Sequence, residues 1–113
     1  MGLIKFLFPN EFNVYLHDTP SKSLFDKEDR TFSHGCMRMQ DPFEFAAKLL
    51  ANVGWNRARI DAVVATKVTT RAGLKTPLPA YVVYMTAVPQ PNGGIAYLKD
   101  PYKLDATVAA RLN

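Results

Sequence analysis

The chain has 113 residues, of which 48% are hydrophobic and 21% are charged, and its formal net charge is +4 at pH 7. This composition is typical of an ordinary globular domain and excludes a disordered or low-complexity chain. The 14 basic residues are scattered rather than gathered into a stripe, which argues against nucleic-acid binding. No apolar run of about 18 residues predicts a membrane span, and one cysteine excludes an internal disulfide.

The amino-terminal part predicts two short strands followed by a polar loop. Residues 4–8 and 13–16 are β-prone runs, and Pro9-Asn10-Glu11 between them has a turn composition. The apolar start lacks the charged region and cleavage site of a signal peptide, so we interpret it as a strand. Residues 18–32 are polar and charged and predict a loop, whose length is typical of functional loops.

Two helices are predicted in the middle of the chain. Asp41 is a good N-cap, Pro42 suits the first helical position, and Glu44 would complete a capping box. Apolar residues at helical spacing then predict a helix over about residues 42–53, which a glycine ends. A second short helix is predicted over about residues 56–66, although the adjacent valines near its end would also suit a strand.

The carboxy-terminal part predicts a hairpin and a last helix. Residues 80–88 are rich in β-branched and aromatic side chains and are the clearest strand prediction. Pro91-Asn92-Gly93-Gly94 indicates a hairpin loop, and residues 95–98 return as the partner strand. Asp105–Leu112 predicts a helix with Asp105 as its cap. The expected fold class is therefore α+β, with more strand than helix among the core elements.

The single cysteine, Cys36, is the candidate nucleophile, in Ser33-His34-Gly35-Cys36-Met37-Arg38. A cysteine attacks a carbonyl carbon as the thiolate, so it needs a neighbouring base. His17 closes a β-prone run 19 residues earlier, and the intervening loop can bring it to Cys36. The ring of His34 is too close in sequence to be sure of facing the sulfur. The N–H groups of Gly35 and Cys36 are candidates for an oxyanion hole, and Arg38 would favour the thiolate or hold a carboxylate.

Other interpretations of these residues stay open at this point. A lone cysteine is usually a small buried hydrophobe, and a histidine at a strand end often has no chemical role. His17, His34 and Cys36 are also ligand types that zinc accepts. However, no fourth ligand has recognisable spacing, and a metal would occupy the thiolate that the chemistry needs. We therefore expect neither a metal nor a cofactor.

The cysteine segment resembles the S-H-G-C-x-R signature of the L,D-transpeptidase (YkuD-type) catalytic domain. His17-Asp18-Thr19-Pro20 resembles the H-x-T-P segment of the same family, and the pairing of both segments is specific. The resemblance runs along nearly the whole chain and is greatest to the larger murein L,D-transpeptidases of the Gram-negative envelope. The further matching segments are Phe6-Leu7-Phe8-Pro9-Asn10, Gly54-Trp55, Leu78-Pro79-Ala80-Tyr81, Tyr84-Met85-Thr86-Ala87 and Asp100-Pro101-Tyr102.

The resemblance implies a mostly β catalytic fold and a periplasmic enzyme that remodels peptidoglycan. Its cysteine attacks the diamino acid at position three of a tetrapeptide stem, releases D-alanine and passes the acyl group to a neighbouring stem, forming a 3→3 cross-link. The implied partners are peptidoglycan stem peptides and carbapenem-type inhibitors. The implied roles are nucleophile for Cys36, base for His17, oxyanion loop for Gly35 with Ser33 and His34, substrate binding for Arg38, and orientation of the base for Asp18.

Family domains are longer than this chain, and Met1-Gly2 opens almost directly onto a strand. We therefore expect residues 1–113 to be the carboxy-terminal part of an L,D-transpeptidase catalytic domain. Two alternative functions remain. One is a Cys–His peptidoglycan peptidase or carboxypeptidase that transfers the thioester to water. The other is a truncated, non-catalytic module that binds the cell wall.

Overall fold

The computed structural model describes residues 2–33 and 35–113, which form two compact units, Met1–Pro79 and Ala80–Asn113. The three α-helices of the described residues comprise nine, nine and eight residues, whereas no strand exceeds three. The α+β class is confirmed. The expected excess of strand is wrong, because the strands that form are much shorter than the β-prone runs that contain them.

The first unit contains a three-stranded sheet with β2 in the centre. Its strands are β1 (Lys5–Phe6), β2 (Leu16–His17) and β3 (Met37–Arg38). β1 runs antiparallel to β2, with Lys5 opposite His17 and Phe6 opposite Leu16. β3 runs parallel to β2, with Met37 beside Leu16 and Arg38 beside His17. The two amino-terminal strands are confirmed, although both are shorter than predicted and β2 begins later.

An asparagine closes the connection between β1 and β2. The Asn10 side chain donates to the carbonyls of Phe8 and Val14, at 2.9 and 2.8 Å, and accepts from the N–H groups of Phe12 and Val14. These backbone groups are therefore satisfied by one side chain instead of by a strand ladder. This explains why the second strand starts only at Leu16.

Side chains alternate between the two faces of the sheet along each strand, and paired residues on neighbouring strands point to the same face. Phe6, Leu16 and Met37 form one row, and the Phe6 ring meets that of Phe45 edge-on, with ring centroids 5.2 Å apart. This face is therefore turned toward the helix that contains Phe45. The opposite face carries the row that contains His17.

Helices α1 (Pro42–Leu50) and α2 (Arg57–Ala65) confirm the two predicted helices. They pack on each other and contribute the buried apolar residues of the unit, Ala46, Leu50 and Ile60. A 3₁₀ turn, Ala51–Val53, follows α1 and ends at Gly54, whose φ of +80° is the left-handed conformation that glycine adopts without strain.

The two helices begin differently. Asp41 occupies the N-cap position of α1, but within the described residues its carboxylate makes no capping hydrogen bond, so the predicted capping box does not form. Pro42, at the first helical position, fixes the entry of the chain instead. In α2, the Asn56 side chain accepts a hydrogen bond from the Arg59 N–H at 2.8 Å and caps the helix.

The second unit contains a hairpin of β4 (Ala87–Pro89) and β5 (Ile95–Tyr97), which confirms the predicted turn and partner strand. The prediction of a strand over residues 80–88 is wrong for most of its length. β5 pairs only with residues from Ala87 onward, and Tyr81 remains 85% exposed. High β-propensity describes side chains that fit a half-buried sheet, and it cannot make a strand without a partner.

Helix α3 (Asp105–Leu112) confirms the terminal helix but not its predicted cap. Asp105 is the first helical residue, and its carboxylate accepts from the Thr86 hydroxyl at 2.7 Å. The cap comes from Asp100, whose two carboxylate oxygens accept from the N–H groups of Leu104 and Asp105, at 3.1 and 2.9 Å. The carboxylate earlier in the chain reaches the free N–H groups, so it satisfies the helix start.

Candidate functional site

The parallel pairing of β2 and β3 places Cys36 next to the strand that carries His17. Cys36 directly precedes β3, where Met37 N–H donates to the Tyr15 carbonyl at 3.1 Å and Met39 N–H donates to the His17 carbonyl at 2.9 Å. This register sets Cys36 beside Tyr15, two residues before the position of His17. Because side chains alternate along a strand, the thiol and the imidazole lie on the same face.

The His17 ring is held by its own backbone and by an aromatic neighbour. Its Nδ1 lies 2.7 Å from the backbone carbonyl of Asp18, and its ring centroid lies 5.8 Å from that of Tyr15. A carbonyl oxygen can only accept, so Nδ1 carries the proton in this contact. The other ring nitrogen, Nε2, is then the one that can take up a proton.

The carboxylate of Asp18 points to a different set of partners. Only 7% of the residue is exposed, and its carboxylate accepts from Leu3 N–H at 3.0 Å and from Lys22 Nζ at 2.8 Å. The contact to His17 is thus made by the backbone of Asp18 and not by its side chain. Burial raises the pKa of Asp18, but the hydrogen bonds from Leu3, Lys22 and Thr19 outweigh it and leave the pKa below its ordinary value.

Lys22 is a residue that the sequence analysis passed over. Its Nζ donates to the Asp18 carboxylate and to the carbonyls of Met39 and Gln40, at 2.8, 3.2 and 2.9 Å. The ammonium group therefore connects the segment after β2 to the segment after β3. The sequence feature that could have indicated this contact is a lysine four residues after an aspartate. Lys22 is also the first residue of a short 3₁₀ helix, Lys22–Asp26, inside the predicted loop.

The loop before Cys36 is held by Ser33 and Arg38. The Ser33 hydroxyl donates to the Cys36 carbonyl at 2.6 Å and accepts from Gly35 N–H at 3.4 Å. Arg38 Nη2 donates to the Phe32 carbonyl at 3.4 Å. Gly35 has a φ of +148°, which other residues rarely adopt, so a glycine is required here. The resulting turn leaves the Cys36 side chain half-buried.

A cavity of about 470 Å³ lies on the carboxylate side of Asp18, and neither His17 nor Cys36 lines it. Its charged lining is Asp18, Lys22, Asp41, Glu44 and Arg57. Across residues 2–33 and 35–113, no group of three or more histidine, cysteine, aspartate or glutamate side chains gathers as a metal site requires. In the same residues, no helix is long and apolar enough to cross a membrane.

A family model described as the YkuD L,D-transpeptidase catalytic domain matches residues 1–70, more than half of the chain and the whole of the site. The chain belongs to the L,D-transpeptidase family. It is also 37% identical over 108 residues to a protein of Haemophilus influenzae named "Putative L,D-transpeptidase". This match covers 96% of the chain but only 22% of the length of the relative.

In this L,D-transpeptidase chain the structure brings several predicted residues onto one face or one loop. His17, Cys36 and Arg38 share a face of the sheet, and Ser33 with Gly35 forms the turn before the cysteine. Asp18 contacts His17 through its backbone carbonyl. The remaining predicted site residue, His34, lies outside the residues that the structure describes.

Proposed function

We propose that this chain carries the cysteine site of a peptidoglycan L,D-transpeptidase that forms 3→3 cross-links, with Cys36 as nucleophile and His17 as general base. The observation that supports the proposal is the register of β2 and β3, which sets both side chains on one face of the sheet. Family membership supplies the substrate class. Because the chain spans 22% of the length of its relative, the activity of the whole protein belongs to the proposal as well.

In the first half-reaction, Nε2 of His17 takes the thiol proton of Cys36. The thiolate attacks the carbonyl carbon of the diamino acid at position three of the donor stem, and the carbonyl oxygen becomes an oxyanion. When the oxyanion collapses, the C–N bond to the terminal D-alanine breaks. The leaving amine receives its proton from His17, and the acyl group remains as a thioester on Sγ.

In the second half-reaction, the side-chain amine of an acceptor stem attacks the thioester. His17 removes a proton from that amine, the C–S bond breaks, and the thiolate of Cys36 is regenerated. The product is an amide between the two diamino acids, and no water is consumed. Transfer to water would instead give a trimmed stem, which is the peptidase alternative.

Backbone contacts of the site serve this chemistry. The Asp18 carbonyl orients the base by holding Nδ1–H, which leaves Nε2 directed away from the backbone as the acceptor. The N–H groups of Gly35 and Cys36 are the proposed oxyanion donors. The Gly35 N–H now points to the Ser33 hydroxyl at a long 3.4 Å, so little hydrogen-bond energy opposes its transfer to an oxyanion.

Arg38 is proposed to bind the donor stem as well as to hold the loop at Phe32. The substrates place the enzyme in the periplasm or elsewhere in the cell envelope, where carbapenems would acylate Cys36 as donor analogues. The assignment of residues 1–113 to the carboxy-terminal part of a catalytic domain is part of the same proposal.

Intact-mass spectrometry after exposure to a carbapenem tests the nucleophile. We expect one covalent adduct on the wild-type chain, none on Cys36→Ala, and slower adduct formation on His17→Gln by about 10²–10⁴-fold, the usual contribution of a general base. Circular dichroism of each variant controls for folding. Absence of an adduct on folded wild-type protein, or an adduct on Cys36→Ala, would remove the proposal.

Product analysis on muropeptides tests the reaction type. A transpeptidase yields 3→3 dimers and free D-alanine in equal amounts. Trimmed stems without dimers would identify a hydrolase instead, and binding to cell-wall sacculi with an inert thiol would identify a non-catalytic module.

A further inference from the structure

Three basic side chains lie side by side on the face that carries Cys36. Lys5 is opposite His17 in the antiparallel pair, and Arg38 is beside His17 in the parallel pair. Directly paired residues point to the same side of a sheet, so Lys5, His17 and Arg38 form one row across all three strands. We call Lys5 and Arg38, the two charged residues that flank His17 in this row, the cationic row. Tyr15 and Cys36, which directly precede β2 and β3, lie side by side two residues before His17 and Arg38.

Side-chain contacts confirm that the row faces the site. Lys5 Nζ lies 4.7 Å from the centroid of the Tyr15 ring, and that ring lies 5.8 Å from the His17 ring. Lys5 is exposed, so its ammonium group is accessible while the aromatic ring holds its position. The lysine thus reaches toward the site rather than away from it.

The cationic row makes no ion pair in the part of the chain that the structure describes. Among the described residues, no carboxylate forms an ion pair with Lys5 or Arg38, and the ion pairs of this unit involve Lys22 and Arg57. Arg38 uses one N–H on the carbonyl of Phe32, which is a neutral acceptor and so does not neutralise the guanidinium charge. Uncompensated positive charge beside a nucleophile attracts an anionic electrophile and raises its local concentration.

The spacing of the row from Cys36 suits a carboxylate on the electrophile. Two residues of a strand span about 6.6 Å, which separates Arg38 from Cys36 along β3. Long basic side chains can close much of that distance toward a group a few bonds from the carbon under attack. The terminal D-alanine of a donor stem carries its carboxylate three bonds from the scissile carbonyl carbon.

We infer that the cationic row is a carboxylate-recognition site in which Lys5 is a specificity-determining residue, selecting donors whose leaving residue ends in a free carboxylate. This inference rests on the proposed function, because it assigns a role to the leaving residue of that reaction. It adds a residue from β1 to a site otherwise built from β2, β3 and the loop between them.

Alkylation of Cys36 by iodoacetate and by iodoacetamide tests charge selection without requiring transpeptidation. In both reactions the thiolate forms an S–C bond as the C–I bond breaks and iodide leaves, and only iodoacetate carries a carboxylate. We expect the iodoacetate-to-iodoacetamide rate ratio to fall about twofold to fivefold in Lys5→Met, the range of an exposed ion pair. Lys5→Arg retains the charge and should keep the ratio.

Lys27→Met is the matched control, since Lys27 is exposed and lies in the loop, outside the three strands that build the site. It removes the same charge elsewhere and should leave the ratio unchanged. In 1 M salt, where the screening length is about 3 Å, the wild-type ratio should approach that of Lys5→Met. Equal ratios in the wild type and Lys5→Met, or an equal fall in Lys27→Met, would overturn the inference.

A second measurement assigns the carboxylate to the leaving residue. It compares a tetrapeptide donor that ends in D-alanine with the same peptide ending in D-alaninamide. Lys5→Met should lower kcat/KM for the acid by the same factor as above and lower it less for the amide. Equal losses on both peptides would overturn the assignment to the leaving residue. No thioester from either peptide, with charge selection by iodoacetate intact, would instead count against the proposed function.

Discussion

Replacing Lys22 by methionine, whose side chain is of similar length, removes three hydrogen bonds at once. The Asp18 carboxylate loses the only ion-pair partner that the described structure gives it, while Met39 and Gln40 lose a donor to their carbonyls. Asp18 remains buried, so its charge has to be satisfied by Leu3 and its own neighbouring backbone. A buried charge that loses a partner is a recognised cause of large destabilisation.

The size of the effect follows from the exposure of the two side chains. Hydrogen bonds to charged groups contribute about 1.5–3 kcal/mol when buried, but the Lys22 side chain is 46% exposed and water screens it. We therefore expect Lys22→Met to lower the free energy of unfolding by about 1–3 kcal/mol. Out of a total of about 5–15 kcal/mol for a typical domain, this loss is measurable.

Urea unfolding measures it as a fall in the midpoint at an unchanged slope. Lys27→Met, the control with the same charge loss, should stay within about 0.5 kcal/mol of the wild type. Asp18→Asn combined with Lys22→Met should destabilise less than the sum of the two single changes, because both remove the same ion pair. If Lys22→Met and Lys27→Met have equal midpoints, the reasoning about Lys22 is refuted.

Three further predictions concern single residues. Folding lowers the pKa of Asp18, so its charge stabilises the chain above its ordinary pKa of about 3.9, and this contribution is lost as the pH falls through the folded pKa. The difference in unfolding free energy between wild type and Asp18→Asn should therefore narrow below about pH 4. A difference that stays constant with pH would contradict this prediction. Gly35→Ala should lower the free energy of unfolding by about 1–3 kcal/mol through backbone strain at φ of +148°, because the added methyl group itself would meet Val14 at an ordinary 3.6 Å. The same change should slow alkylation of Cys36. If the unfolding midpoint and the alkylation rate are both unchanged, a glycine is not required at this position. Asn56→Ala should cost about 0.5–2 kcal/mol by removing the cap on Arg59 N–H, whereas Asn56→Asp should retain most of it in the same urea assay.

The elements that could be predicted from the sequence are those whose determinants are local. Helices α1 and α2 follow from apolar spacing and, in α1, from a proline at the first position, all within one or two turns. The hairpin of β4 and β5 follows from its loop residues. The prediction of a strand over residues 80–88 was wrong for most of its length, because a strand forms only with a partner and composition does not show which segments pair.

The candidate site divides in the same way. Motif spacing paired His17 with Cys36, but the register that sets both on one face arises from hydrogen bonds between residues about 20 positions apart. The resemblance implied that Asp18 orients His17, but the atom that makes the contact could not be predicted. The Asp18 carboxylate binds Leu3 and Lys22, while its carbonyl contacts His17. Lys5 was missed because only strand pairing shows that it stands opposite His17.

Whether Cys36 and His17 share a face depends entirely on the register of the short parallel ladder between β2 and β3. Side chains alternate along a strand, so a slip of β3 by one residue would turn Cys36 toward the face that meets Phe45 and replace it by Met37. Because successive residues of a strand face opposite sides, no smaller shift leaves the thiol partly aligned with His17. Length changes in the connection between the strands are therefore tolerable as long as the ladder keeps its register. A single residue inserted between Cys36 and Arg38 would instead turn Cys36 away from the face that carries His17.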